Sequence, residues 1–144
     1  MSIISVLIVD DNENDRYLLS RQLEETGLEI KSFEKTDGKS ALEFFEDYDV
    51  NRKKYPEHYP PHIVFLDINM PLVNGYEFLQ KFAELRTKVD IKACVVMMFT
   101  SSEREEDRKK ALSFDFVSDY LIKGDFSSEQ LREKIVSTSK EPAQ

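Results

Sequence analysis

The chain of 144 residues has a single cysteine, Cys94, so no internal disulfide can staple it. That cysteine lies in the apolar run "IKACVVMMF", which fits a small buried core residue better than a reactive thiol. No apolar stretch approaches the length of a membrane span. The opening "MSIISVLIVDD" lacks a basic segment before its apolar residues, so it reads as the first strand of a cytoplasmic protein and not as a signal peptide. Positive charge is in deficit, with 20 Lys and Arg against 28 Asp and Glu and a formal net charge of −8. That balance disfavours direct contact with nucleic acid, whose phosphates would repel the chain as a whole. Internal repeats and low-complexity segments are missing too. What is left is a length suited to one domain with a real core.

Three apolar runs, residues 6–9, 63–66 and 93–99, have the composition of strands buried on both faces. Residues 29–33 and 117–122 are further strand candidates. Helical spacing fills the intervals. Leu19 and Leu23 lie four apart, with Gly27 following as a C-terminal cap. Ala41, Phe44, Phe45 and Tyr48 make one face, and Phe78, Phe82 and Leu85 another. Ser102 with Glu105, and Ser127 with Gln130, have capping-box spacing. Leu131 and Ile135 give the last helix a short apolar stripe. Strand and helix thus alternate five times, which implies an α/β protein with a parallel sheet covered by helices on both faces. The domain is expected over residues 1–138, with 139–144 as a short frayed tail. The 47–62 segment is long for a helix-to-strand connection and holds three prolines and three tyrosines. It reads as an extended helix end and a proline-braced loop, with a binding surface as the other reading.

The acids stand where strands end. Asp10 and Asp11 follow the first strand, Asp67 the third, Thr100 the fourth and Lys123 the fifth. Each alone has an ordinary explanation as a cap or a surface residue. Together they occupy the rim of an α/β sheet at which ligands bind, beyond the carboxyl ends of the strands. Three neighbouring carboxylates repel one another. Mg²⁺, which prefers oxygen ligands, relieves that repulsion and leaves a coordination position for a phosphoryl oxygen. A carboxylate can attack phosphorus to give an acyl phosphate, and catalysis of such a transfer is mostly positioning and charge neutralisation. The metal, the Lys123 ammonium and the Thr100 hydroxyl would each meet one phosphoryl oxygen.

With "LIVDDN", "VFLDINMPLVNG", "FTSS" and "YLIKG" in this order and at this spacing, the chain resembles, from Ile3 to about Val136, the receiver domains of two-component response regulators. The resemblance implies a flavodoxin-like, doubly wound sheet of five parallel strands in the order 2-1-3-4-5. It implies Asp67 as phospho-acceptor, and Asp10, Asp11, Asp67 and the Asn69 backbone carbonyl around Mg²⁺, with Asp10 acting largely through water. Lys123 pairs with the phosphoryl group, Thr100 is the switch hydroxyl and Tyr120 the switch aromatic, its ring moving inward when Thr100 is drawn to the phosphate. Helix four, strand five and helix five form the surface expected to change and to serve a homodimer. The implied donor is a sensor histidine kinase or phosphotransfer protein. The chemistry is self-phosphotransfer and autodephosphorylation, with no turnover of a separate substrate.

Some positions depart from the usual pattern. Gly124 follows Lys123 where the family has a proline after a cis bond; a cis bond without proline costs about 2.5–4 kcal/mol, which leaves that geometry open. Ser102 and Asn69 occupy the positions that influence the attacking water, and both are neutral. The chain ends soon after the fifth helix, as in stand-alone regulators. Short regulators of phytochrome-type kinases are similar in having an extended segment before strand three. A phosphorelay intermediate, a phosphate sink and a non-switching interaction module remain as alternatives. A haloacid-dehalogenase-type phosphatase would carry a second acid where Asn69 stands, and flavodoxin a Ser/Thr/Gly-rich loop where Asp10 and Asp11 stand.

Overall fold

The computed structural model describes residues 3–70 and 72–139. Pro71, and residues 140–144 of the expected tail, lie outside the described residues. The elements run β1 (Ile4–Val9), α1 (Glu13–Glu25), β2 (Ile30–Lys35), α2 (Gly38–Glu46), α3 (Tyr48–Lys54), β3 (Ile63–Leu66), α4 (Gly75–Leu85), β4 (Val95–Thr100), α5 (Glu105–Leu112), β5 (Val117–Ile122) and α6 (Ser128–Ser139). The strands form one parallel sheet in the order β2-β1-β3-β4-β5. The fold is the expected flavodoxin-like one.

Alternation along each central strand divides the core in two. Leu7 and Val9 of β1, Val64 and Leu66 of β3, and Val96 and Met98 of β4 face Ala41, Phe45, Phe78 and Phe82 of α2 and α4. Val6, Ile8, Ile63, Phe65, Met97 and Phe99 face Leu19 and Leu23 of α1 and Leu131 and Ile135 of α6. Period-two side-chain direction in the strands therefore assigns each helix to its face. Cys94 is buried, donates to the Pro61 carbonyl at 2.8 Å, and has its thiol pushed up to about 12 by burial. It is a core residue.

The 47–62 segment departs from a simple loop. Asp47 leaves helical geometry (φ −84°, ψ 44°) and ends α2, and a separate helix, α3, follows. Tyr48, whose spacing continues that of Ala41, Phe44 and Phe45, begins α3 instead. The tyrosines pack inward. Phe33 and Tyr55 meet edge to face at 4.9 Å, as do Phe44 and Tyr59 at 5.0 Å, geometries that aromatic quadrupoles favour. The Tyr59 hydroxyl donates to the Phe44 carbonyl at 2.7 Å. Lys31, Lys35 and Lys54 lie over Phe33, Phe44 and Tyr55 at 5.8, 5.2 and 5.4 Å.

The capping signals were met unevenly. Ser127 and Gln130 bond reciprocally, at 2.8 and 3.1 Å. Ser102 and Glu105 do not form a capping box: Arg104 is the N-cap of α5, without a side-chain bond, and the Ser102 hydroxyl donates to Asp107. Asn74 caps α4 in a full capping box with Glu77. Gly27 follows the C-cap of α1 at φ +77°, the left-handed position that glycine occupies without strain. Leu72 adopts φ +69° in the β3–α4 loop with 74% of its surface exposed. A leucine there is strained and buries little. Leu72→Asn should raise stability by about 1 kcal/mol in urea unfolding; an unchanged or lower midpoint would show that the leucine holds the loop by packing.

Candidate functional site

The carboxyl ends of β1, β3, β4 and β5 bring Asp10, Asp67, Thr100 and Lys123 into one cluster. Asp10 and Thr100 are fully buried and Asp67 is 6% exposed. Each is placed by the last residue of a strand whose side chains alternate between the two cores, so the polar group emerges at the rim instead of within either core. Asp10 Oδ1 accepts the Asn12 amide at 2.9 Å, and its carbonyl accepts from Arg16 at 2.8 Å. Asn12, not Asp10 or Asp11, caps α1. Asp67 Oδ1 accepts the Ile68 amide at 2.8 Å.

Lys123 Nζ lies 2.7 Å from Asp10 Oδ2, 2.8 Å from Asp15 Oδ2 and 3.4 Å from Asp67 Oδ2. Burial pulls the ammonium down, but Asp10, Asp15 and Asp67 outweigh it and hold Lys123 above the ordinary lysine value. Burial also pushes the Asp67 carboxyl up; Lys123 opposes that and Asp10 adds to it. The pairing is thus unequal, with the lysine's charge held chiefly by Asp10 and Asp15. Asp15 was not among the residues singled out by sequence. An acid in the first turn of a helix suits the helix dipole without further reason, and its partner lies 108 residues away.

The Lys123–Gly124 bond is trans, Tyr59–Pro60 being the cis bond among the described residues. Gly124 instead takes φ +79°, where an added Cβ would meet nothing but would be conformationally strained. This turn sets the lysine at the rim, and the Lys123 amide donates to the Thr100 carbonyl at 2.8 Å.

Asp10, Asp11 and Asp67 each offer an oxygen, and these all lie within 4.8 Å of one another. Asp11 is exposed while the other two are buried. Asp10 Oδ2 is buried and has no hydrogen bond of good geometry, although the lysine charge is near. An oxygen donor set with one such orphan fits a hard divalent cation. Asn69 sits two residues past Asp67 with its side chain exposed.

A second network runs away from the acids. Thr100 Oγ1 accepts the Ser102 amide at 3.2 Å, and the Tyr120 hydroxyl donates to the Ser102 carbonyl at 3.0 Å. Tyr120 is 8% exposed, so its ring already lies inward. Asp107 accepts from both Ser102 and the Tyr76 hydroxyl, and these bonds hold its carboxyl below the usual range. The β4–α5 loop is thereby tied to α4, α5 and β5. Because α3 is an additional helix, the expected helix-four to helix-five surface corresponds to α5, β5 and α6.

Gly75 lets α4 start directly against Asp67. Its amide donates to the Ile68 carbonyl at 2.8 Å, and a Cβ there would stand 2.6 Å from the Asp67 carbonyl oxygen and 2.8 Å from the Ile68 Cα. Backbone must move to admit it. Gly75→Ala should cost about 1–3 kcal/mol in denaturant unfolding and displace Asp67; unfolding at the native midpoint would show that the loop yields without strain.

The model of the response regulator receiver domain matches residues 6–136. Response regulator Rcp1 of Synechocystis sp. (strain ATCC 27184 / PCC 6803 / Kazusa) is 28% identical over 102 residues, 71% of this chain and 65% of Rcp1. Sensor protein EvgS of Escherichia coli (strain K12) is 32% identical over 110 residues, 76% of this chain and 8% of EvgS. The chain therefore spans less than two thirds of either relative. Among solved structures, a two-component response regulator from Cytophaga hutchinsonii superposes with a TM-score of 0.80 at 25% identity, covering 98% of this chain and 100% of that one. The bacteriophytochrome response regulator RtBRR gives 0.73 at 28% identity, covering 99% and 81%. No helix among the described residues is long and apolar enough to cross a membrane. Strand order, rim chemistry and these matches agree: the chain belongs to the response regulator receiver domain family.

Proposed function

We propose that this receiver domain accepts a phosphoryl group on Asp67 from a sensor histidine kinase or phosphotransfer protein and acts through altered protein contacts. The observation that carries the reading is the convergence of Asp10, Asp11, Asp67, Thr100 and Lys123 at one end of one sheet. An Asp67 carboxylate oxygen attacks phosphorus, the bond from phosphorus to the donor atom breaks, and the donor leaves with the electron pair. Burial raises the proton affinity of Asp67, and the nearby lysine counters it, so the carboxylate keeps nucleophilic character. Lys123 meets one phosphoryl oxygen and Thr100 another. Asp10, Asp11, Asp67 and the Asn69 carbonyl would hold Mg²⁺. When bound, Mg²⁺ would supply charge neutralisation at the phosphoryl oxygens.

Turning Thr100 towards the phosphoryl group breaks its bond with the Ser102 amide. Because the Ser102 carbonyl also holds Tyr120, the change reaches β5 and the α5–β5–α6 surface, which is also the proposed homodimer face. Receiver domains as a family pair with sensor histidine kinases, and the likeness to RtBRR supports a phytochrome-type kinase as donor. The site supports self-phosphotransfer and autodephosphorylation rather than turnover of a second substrate, and the setting proposed for it is the cytoplasm.

The test is labelling with acetyl phosphate. The protein should take up one phosphoryl group with Mg²⁺ and none with a chelator, and the label should be released by hydroxylamine as an acyl phosphate is. Absence of label in the wild-type protein, or its persistence in Asp67→Asn, would overturn the reading.

A further inference from the structure

Lys123 is claimed by more carboxylates than its expected task needs. An ammonium has three N–H donors. Here the ammonium donates to Asp15 at 2.8 Å and, more distantly, to Asp67 at 3.4 Å, while Asp10 Oδ2 lies 2.7 Å away as an ion pair without hydrogen-bond geometry. Asp15 is neither the acceptor nor part of the group of acids that could share a cation, which comprises Asp10, Asp11 and Asp67. It reaches the lysine from α1, whereas Lys123 follows β5. Its place in α1 does not explain that contact. The N-cap role belongs to Asn12, whose side chain accepts the Asp15 backbone amide at 2.9 Å, and Glu13 already supplies a first-turn acid.

A divalent cation bound by Asp10, Asp11 and Asp67 offsets most of their charge and leaves Asp15 as the carboxylate outside the metal group that draws the lysine away from the acceptor. The Lys123 side chain is 15% exposed and that of Asp15 28%, so water screens their attraction incompletely. A phosphoryl group arriving on Asp67 must compete with Asp15 for the same N–H donors.

We propose that Asp15 is a positioning residue that holds Lys123 back from the acceptor, so that it lowers the affinity of the Asp67 site for a phosphoryl group and sets how readily the receiver is switched on. This rests on the proposed role of Lys123 in phosphoryl binding at Asp67. Asp15→Asn removes the charge and leaves the backbone cap bond to Asn12 in place.

Beryllofluoride, which mimics a phosphoryl group on a carboxylate, is titrated by calorimetry with saturating Mg²⁺ into the wild type, Asp15→Asn, Asp15→Glu, Lys123→Gln and the Asp15→Asn/Lys123→Gln double variant. Asp15→Asn should bind about tenfold more tightly than wild type, Asp15→Glu should return to the wild-type value, and the gain should vanish in the Lys123→Gln background. In metal-free protein the Lys123 ¹⁵Nζ resonance should move in Asp15→Asn and stay in place in Glu13→Gln, a response that a purely structural role for Asp15 would not give. Equal or weaker binding by Asp15→Asn, or the same gain without Lys123, overturns the proposal while the acceptor reading stands. A wild-type protein that binds no beryllofluoride overturns both.

Discussion

Asp67→Asn should reduce acetyl phosphate labelling to background and, in the same protein, raise the melting temperature at neutral pH. Asparagine has no carboxylate with which to attack phosphorus, so the first effect is total. The second follows from burial, which pushes the Asp67 carboxyl up despite the nearby lysine. A carboxyl with a raised folded-state pKa binds more protons in the native than in the unfolded chain once pH exceeds the ordinary aspartate value of 3.8. Its contribution to stability therefore falls as pH rises from there through the folded value. Asparagine carries no such penalty. Its carbonyl can keep the Ile68 amide bond, and its N–H₂ can approach Asp10 Oδ2, which has no good donor. Below the ordinary aspartate value wild type and variant should melt alike, and the advantage of the variant should widen as pH rises. Thermal melts across that range decide the matter; a variant less stable than wild type at neutral pH would mean that the ionised form is favoured by the fold.

Lys123→Met should produce the largest loss of stability, about 3–5 kcal/mol at neutral pH without a divalent cation. Asp10 is fully buried and Asp67 nearly so, and the ammonium 2.7 Å from Asp10 Oδ2 compensates both. Methionine replaces the stem and removes the charge, leaving carboxylates that repel one another away from water. Such a loss is a large share of the 5–15 kcal/mol typical of a domain. It should shrink as pH falls, because the stranded acids then take up protons, and Mg²⁺ should restore part of it. Urea unfolding with and without Mg²⁺ at acidic and mildly basic pH tests this. A deficit unaffected by either pH or Mg²⁺ would assign the effect to lost packing alone.

The three central strands were legible because a strand buried on both faces is an uninterrupted apolar run, and Asp10, Asp67 and Thr100 were legible because they stand where those runs end. Less visible was anything decided by contacts across the fold. The spacing of Ala41, Phe44, Phe45 and Tyr48 is continuous as a helix face, yet Asp47 breaks it, and Tyr48 joins a helix whose aromatic partners include Tyr59. Ser102 and Glu105 have the spacing of a capping box, but Asp107 offers the hydroxyl a charged acceptor one turn on, while Tyr76 approaches the same acid from α4. Asp15 looked like any first-turn acid because its partner is distant in the chain.

The lysines over the aromatic faces bear on a different hazard. β2 is an edge of the sheet, with one side paired to β1. An open edge can template the addition of a foreign strand, and charged residues along it, lysine above all, discourage that. Lys31 and Lys35 stand on this strand, their ammonium groups drawn over Phe33 and Phe44. The aromatics that seat α3 therefore also hold positive charge at the margin of the sheet, and shortening both lysines to alanine would turn a guarded border into one open to self-association.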